Sequence, residues 1–395
     1  MSAPRLLFVD DEPHFLEGLR DLLRRRRHEW EARFVRSGAA ALEELARDPF
    51  DLVLTDLQMP GMGGVELLQR VRSLQPGATR LVLSGATDRA VLGRALLVAH
   101  RFVAKPCDAG RLQAVIERTL ALRALLGDPA LRRRIGDVER LPSPPAIYGE
   151  LLAVAARPDS GASDVAAVLQ RDPAMAAKVL QVVNSAAVGL CERVVTVGRA
   201  VSFLGVELVK GLALASDAFG CAALGTLEHG FVESTQRHSL AVAQVARRIV
   251  VDRARADEAF VAGIVHEVGA LLLAAQGALP AGFALQLGSA ALLERERAEW
   301  GVTHGEVGAY LLGSWGLPHA IVDAVARHHR PVVRAGPPDA VELALHVADA
   351  LVEELEAEGE PARLDRAALE AAGVVERLPD WRAVASAVVA PSRVA

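Results

Sequence analysis

From Arg5 to about Leu122 the chain alternates short apolar runs with amphipathic stretches. RLLFVDD, WEARFV, DLVLTD, RLVLSG and RFVAKP are candidate strands, each followed by a helix-periodic segment. That alternation predicts five βα units on a parallel, doubly wound sheet. Between Thr119 and Pro145 the pattern changes to an Arg-rich helical connector. It ends in the prolines of LPSPPA, which stop a helix and mark a domain boundary. Beyond it the chain is helix-periodic almost throughout, punctuated by Gly, Pro and Asp and without alternating strands. The expected organisation is an α/β domain over 1–122, a helical connector over 123–140, an all-helical domain over 141–352 and a C-terminal helical extension over 353–395.

Composition narrows the function classes. A chain of 395 residues exceeds one core of ordinary size, so two or three domains are expected. With 51% hydrophobic and 24% charged residues it is globular, and 4% aromatic residues give little material for base-stacking surfaces. A net charge of -5 provides no global attraction to nucleic acid or anionic lipid. The local runs Arg24 to Arg27 and Arg132 to Arg134 fall at expected helix ends, where cations favour the helix dipole and solvent. No helix-turn-helix signature is present, so nucleic acid is not an expected partner. Cys107, Cys191 and Cys221 are odd in number and far apart, which suits buried thiols in a reducing compartment. The N-terminal run LLFV is too short for a signal peptide, and no spanning helix is expected, so the expectation is a cytoplasmic protein with no membrane partner.

Candidate chemistry sits first at the strand ends. In a parallel βα sheet, sites form at the C-terminal ends of strands, near the point where strand order reverses. Asp10 and Asp11 end the first run, Asp56 the third, Ser84 the fourth, and Lys105 the fifth, just before Pro106. Three carboxylates on one edge repel one another unless a hard divalent cation or a lysine balances them, and magnesium is the natural choice. An aspartate there can be the nucleophile toward a phosphoryl group, with metal and ammonium neutralising the transferring oxygens. This spaced set resembles the receiver domain of response regulators over about 118 residues, a flavodoxin-like fold. The resemblance implies that Asp56 is the phospho-acceptor, that Asp10 and Asp11 are the acid pair, and that Ser84 and Lys105 are the switch hydroxyl and the lysine. It also implies Mg2+ on Asp10, Asp11, Asp56 and the Gln58 backbone carbonyl, a cis bond before Pro106, and Phe102 in the place of a switch aromatic. Taken one at a time, these aspartates also read as helix caps, Ser84 as turn chemistry and Phe102 as core.

The second half has its own resemblance. LPSPPAIYGELLAV, LQRDPAMAAKVLQVVNSAAVG and VTVGRAVSFLGVELVKGLAL, with the Asp-Pro helix start and the pair Asn184-Ser185, resemble the HDOD family of helical output domains over roughly residues 135 to 350. Val179, Leu180, Val182 and Val183 supply a core-facing stripe. The same region carries His238, His266-Glu267, His304, His328-His329 and Asp349. Imidazoles and carboxylates converging from several helices are the makings of a one- or two-metal site, and their order resembles metal-dependent HD phosphohydrolases. The chain departs from that pattern. It reads HEVGA, so Glu267 replaces an aspartate and Ala270 a lysine, and no Gly-Tyr-Pro segment follows His329. The extra methylene of Glu267 moves its carboxylate by more than about an ångström, which counts against a bridging ligand on rigid helices. Each of these residues also has an ordinary reading. His238 and His304 suit solvent-facing first turns, His328-His329 a helix C-terminus and Asp349 the surface, while His346 shares a helical face with Asp349.

The expected function is a response regulator of a phosphorelay, phosphorylated on Asp56 by a sensor histidine kinase or a phosphotransfer protein. Its output is a non-catalytic helical domain that binds a partner protein or ligand, with a homodimer as one signalling form. The alternative is a phospho-gated phosphodiesterase acting on a cyclic dinucleotide or other nucleotide, with a transition metal in the second domain. Beyond receiver chemistry, Glu267 and Ala270 favour the first.

Overall fold

The computed structural model describes residues 3–24, 29–84, 95, 98–105, 109–126, 147, 150, 151, 153, 154, 157, 160–184, 193–206, 208, 209, 229–275, 290–331, 337–356 and 363–390. Pro106, Ser185, the three cysteines, Arg25 to Arg27, Arg132 to Arg134 and the expected connector from residue 127 on lie outside them. The chain divides into two compact units, the first of residues 1–139 with 182–192 and 314–316, the second of the remainder.

The first unit is one parallel sheet. Its strands are β1 (Arg5–Val9), β2 (Glu31–Val35), β3 (Leu52–Asp56), β4 (Thr79–Ser84) and β5 (Arg101–Ala104), in the order β2-β1-β3-β4-β5. Every residue of β3 is buried, as coverage on both faces demands, whereas the edge strand β2 is partly exposed. The flanking helices are α1 (Pro13–Leu23), α2 (Gly38–Arg47), α3 (Gly64–Leu74) and α4 (Ala109–Leu125). Helix α1 begins with a proline in its first turn, and α2 is capped by Ser37, whose hydroxyl accepts from the Ala40 N–H at 3.2 Å. Leu6, Phe8, Leu52, Leu54, Leu81 and Leu83 pack with Leu16, Leu19 and Ile116 into one core. Strand order reverses at β1, which pairs with β2 on one side and β3 on the other, so the chain following β1 and β3 borders the crevice.

The second unit shows no strand among the described residues. Its helices are α5 (Ala162–Leu169), α6 (Pro173–Val183), α7 (Val197–Leu204), α8 (His229–Ile249), α9 (Ala256–Val265), α10 (Val268–Ala275), α11 (Ala290–Trp300), α12 (His304–Ser314), α13 (His319–Arg327), α14 (Ala340–Glu356), α15 (Arg366–Ala371) and α16 (Leu378–Val389). The Asp-Pro signal of the sequence is a buried cap: Asp172 accepts from the Met175 N–H at 2.8 Å and, through its other oxygen, from Gln236 of α8 at 2.7 Å. Helix α14 is buried from Val341 to Val352 and packs on α8, α9 and α13, and α16 folds back on α8 and α14. Arg253–Ala275 is long and apolar enough to cross a membrane. Yet 83% of its apolar window is buried in the fold, and the helix turns at His266 and Glu267.

Candidate functional site

The strand ends of the first unit bring together Asp10, Asp56 and Lys105. The Lys105 ammonium lies 2.8 Å from Asp10 Oδ2 and 2.9 Å from Asp56 Oδ1. The remaining oxygens are held by backbone: Asp10 Oδ1 accepts from the Glu12 N–H at 2.9 Å, and Asp56 Oδ2 from the Gln58 N–H at 3.2 Å. Burial alone would depress Lys105, but hydrogen bonds to Asp10 and Asp56 outweigh it and raise its pKa above the ordinary lysine value. Its ammonium also sits 4.9 Å from the Phe15 ring centroid. Gly64, which opens α3, has no room for a side chain, because a Cβ there would lie 2.1 Å from the Asp56 carbonyl oxygen. Ser84 ends β4 beside Ala104, with its side chain outside the described residues, and Phe102 is buried in β5. Asp11 follows Asp10 at the same edge. Two carboxylates sharing one ammonium, with Asp11 next to Asp10 in the chain, make an oxygen-rich edge that fits a hard cation such as Mg2+.

The second unit brings all seven of its sequence-selected residues together. They form two groups that share Glu267: His238, His266, Glu267 and Asp349 in one, and Glu267, His304, His328 and His329 in the other. Within each group the ligand atoms lie within 4.8 Å of one another. None is a surface residue: His266 and His304 are fully buried, Asp349 is 2% exposed and His238 8%. The solvent-facing readings of His238, His304 and Asp349 are therefore corrected; these residues sit in the core where α8, α12 and α14 meet α9 and α13. His346 does not join them. Its Nδ1 donates to the His328 carbonyl at 2.7 Å and its Nε2 accepts from the Asp365 N–H at 2.9 Å, so both nitrogens serve to tie α14 to its surroundings.

Ring orientation is set from behind. The Nδ1 atoms of His266 and His328 bond the Gly263 and Val325 carbonyls at 2.8 and 2.7 Å, and those of His238 and His304 bond Glu356 at 2.8 Å and Glu296 at 3.0 Å. The carbonyl acceptors behind His266 and His328 select the tautomer that turns an Nε2 lone pair inward, the arrangement metal-binding histidines use, whereas His238 also bonds the Asp349 carboxylate through Nε2 at 3.0 Å. Glu296 also accepts from the His304 backbone N–H at 2.9 Å. Neither glutamate was singled out in the sequence, since each lies turns away from the histidine it orients and no spacing links them.

The inward atoms lack ordinary partners. His266 Nε2, His328 Nε2 and both Glu267 carboxylate oxygens are buried without a hydrogen bond among the described residues. Glu267 Oε1 stands 3.5 Å from His266 Nε2 and 4.0 Å from His328 Nε2, while Oε2 stands 3.5 Å from His304 Nε2. Asp349 Oδ1 lies 3.0 Å from His238 Nε2 and 3.5 Å from His266 Nε2. Ligands about 2.1 Å from a tetrahedral cation stand about 3.4 Å apart, which the 3.5 Å separations match, whereas His238 Nε2 with Asp349 Oδ1 at 3.0 Å and His304 Nε2 with His329 Nε2 at 2.9 Å are hydrogen-bonded pairs. The extra methylene of Glu267 is accommodated, and its carboxylate reaches both groups. His304 is lowered by burial but raised more by Glu267 and Glu296, to about 9, and His238 is lowered by burial but raised well above the ordinary value by Asp349 and Glu356. Burial and neighbouring imidazoles push His328 and His329 well below it.

Comparison with known proteins agrees with both halves. The family model described as the response regulator receiver domain matches residues 6–117, and that described as the HDOD domain matches residues 141–331. Response regulator protein PilR of Pseudomonas aeruginosa is 36% identical over 168 residues, covering 38% of this chain and 37% of its own length. FleR of the same organism is 38% identical over 118 residues, covering 29% of this chain and 24% of FleR. The chain thus spans well under half the length of these curated relatives. Among solved structures, the MmoQ response regulator of Methylococcus capsulatus aligns with 26% identity and a TM-score of 0.46, over 62% of this chain and 98% of MmoQ. Each family assignment falls on the unit whose fold it requires, and the chain joins a response regulator receiver domain to an HDOD domain.

Proposed function

We propose that a sensor histidine kinase or phosphotransfer protein phosphorylates Asp56 and that this charge change controls the HDOD domain, whose output is the binding of a partner protein or ligand. The observation that carries the reading is Lys105 shared between Asp10 and Asp56 at 2.8 and 2.9 Å. An Asp56 carboxylate oxygen attacks the phosphorus of a phosphohistidine, the P–N bond breaks, and the departing imidazole takes a proton as the acyl phosphate forms. Asp10, Asp11, Asp56 and the Gln58 carbonyl would hold Mg2+, which neutralises charge on the transferring oxygens. Lys105 supplies a mobile ammonium that moves from its carboxylate partners to a phosphoryl oxygen, and Ser84 is the hydroxyl that follows it. The test is labelling with a small acyl-phosphate donor in Mg2+. The wild-type chain gains hydroxylamine-labile phosphate and Asp56→Asn gains none; equal labelling of the two would sink the assignment.

A second reading of the output has one observation in its favour, the convergence of seven ligand side chains on two shared groups. In it the HDOD domain is a phospho-gated, metal-dependent phosphodiesterase for a cyclic dinucleotide or other nucleotide. Ala270, buried where those enzymes place a lysine, removes a phosphate contact and keeps partner binding as the main reading. Turnover of a cyclic dinucleotide with Mn2+ or Fe2+, lost in His266→Ala, would reverse that order.

A further inference from the structure

We infer that the corner where α8 turns into α9 is a binding site for a nucleoside polyphosphate, with the phosphates held by Arg248 and Arg253 and the base laid against Phe260. The site is separate from the strand-end crevice and from the histidine cluster, and it owes nothing to the phosphorylation of Asp56. At about 1.5 Å per residue, Ala256 at the start of α9 and His266 at its end stand roughly 15 Å apart along the helix.

The last turns of α8 carry Gln244, Arg247 and Arg248 at a spacing that puts all three on one side of the helix. The chain then passes through the short turn Arg253–Arg255 into α9, where Ala256 and Phe260 stand one turn apart. Gln244, Arg247, Arg248, Arg253, Ala256 and Phe260 together line a cavity of about 410 Å3, within the roughly 300–1,000 Å3 that small-molecule sites occupy. Three of these six side chains are guanidiniums and none is a carboxylate. Arginines in a last turn ordinarily offset the helix dipole. Here that task falls to Arg253, whose Nη1 donates to the Arg247 and Arg248 carbonyls at 3.1 and 2.8 Å. Arg247 pairs with Asp257 at 3.1 Å and lies 5.6 Å from the Phe260 ring centroid, while the Arg248 guanidinium makes no hydrogen bond or ion pair among the described residues. Like charges gathered in one cleft repel, an anion relieves that repulsion, and the planar fork of a guanidinium matches two phosphate oxygens. Half-buried Phe260 supplies a face for a base to cover, and Arg247 adds a cation to the stack. The Gln244 amide, also without a hydrogen bond among the described residues, offers a donor and an acceptor to a base edge. Charge alone would fit a bare anion; the ring and the amide fit a base attached to it.

The full chain as purified is titrated by calorimetry with ATP, GTP, inorganic triphosphate and adenosine. At least one of ATP and GTP is expected to bind at one site per chain, more tightly than either triphosphate or adenosine. Arg248→Gln, which removes no contact of the folded chain, is expected to weaken that nucleotide by about tenfold or more, the worth of a hydrogen bond between charged groups. Phe260→Leu keeps an apolar side chain but loses the stack, and is expected to weaken the nucleotide by about fivefold or more while leaving triphosphate unchanged. Asp257→Asn frees Arg247 and is expected to tighten both, a gain that a damaged fold does not produce. No saturable binding of either nucleotide, binding untouched by Arg248→Gln, triphosphate bound as tightly as the nucleotides, a Phe260→Leu loss shared equally by triphosphate, or no gain in Asp257→Asn would each overturn the inference.

Discussion

Glu353 lies one helical turn beyond Asp349 on α14. Burial, with added repulsion from Asp349 and Glu267, pushes its carboxyl up to about 8. Between the ordinary value of 4.5 and about 8 the folded chain therefore binds more protons than the unfolded one, and stability falls as pH rises across that window. Glu353→Gln removes the penalty. In chelator-treated protein it should raise unfolding stability at pH 8 by on the order of 1–3 kcal/mol and leave pH 4.5 unchanged, as urea titrations at the two values will show. A variant no more stable than wild type at pH 8 would contradict the assignment. At this scale the sequence was informative for the residues that do chemistry and silent for those that hold them. Asp10, Asp56 and Lys105 stand at strand ends, and the histidines come in an ordered series. Glu296 and Glu356 act through distances that only the packed helices create, and His346 shared a helical face with Asp349 while serving a different purpose.

At the scale of elements, two backbone crossings decide where the side chains go. A Cβ on Gly269 would lie 1.9 Å from the His304 carbonyl oxygen and 2.6 Å from the Gly308 nitrogen, so α10 and the start of α12 touch backbone to backbone. That contact places Glu267, just before α10, against His304. Gly263 makes a similar approach of α9 to Ala243 of α8. Gly269→Ala should therefore cost at least about 2–3 kcal/mol and also weaken retention of cations, although residue 269 offers no ligand. The check is a denaturation curve alongside metal content, and a variant that matches wild type in both would refute the crossing as the positioning element. The strands were legible because two-sided burial leaves uninterrupted apolar runs. The break at His266 and Glu267 was not, since the apolar pattern continues from α9 into α10 and only the tertiary ligand cluster marks the turn. The edge strand β2 was visible despite its partial exposure because Phe34 and Val35 keep its apolar character.

At the scale of the molecule, two units with separate cores predict two unfolding transitions by calorimetry. If the helical unit holds cations, chelation should lower its transition alone, because cations bound only by the folded state stabilise the unit that binds them. A shift of the receiver transition by the same amount would show instead that the units unfold together. The division into an α/β half and a helical half was readable from the change in hydrophobic period. The packing of α16 onto α8 and α14 was not, because an amphipathic helix near a chain end carries no sign of where its apolar face docks.

The burial of the HDOD cluster also sets a clock. His266, Glu267, His304 and His328 are almost wholly enclosed, and only His238 and His329 approach the surface. If the cluster holds an ion, its escape requires the helices around it to open, and the half-life of metal against excess chelator would then report the frequency of that opening. Exchange slow beside signalling would make the ions part of the architecture, carried unchanged through many cycles of phosphorylation. If phosphate on Asp56 shortened the half-life, the receiver would be acting on the breathing of its output domain, and the metal would be the recorder of that motion.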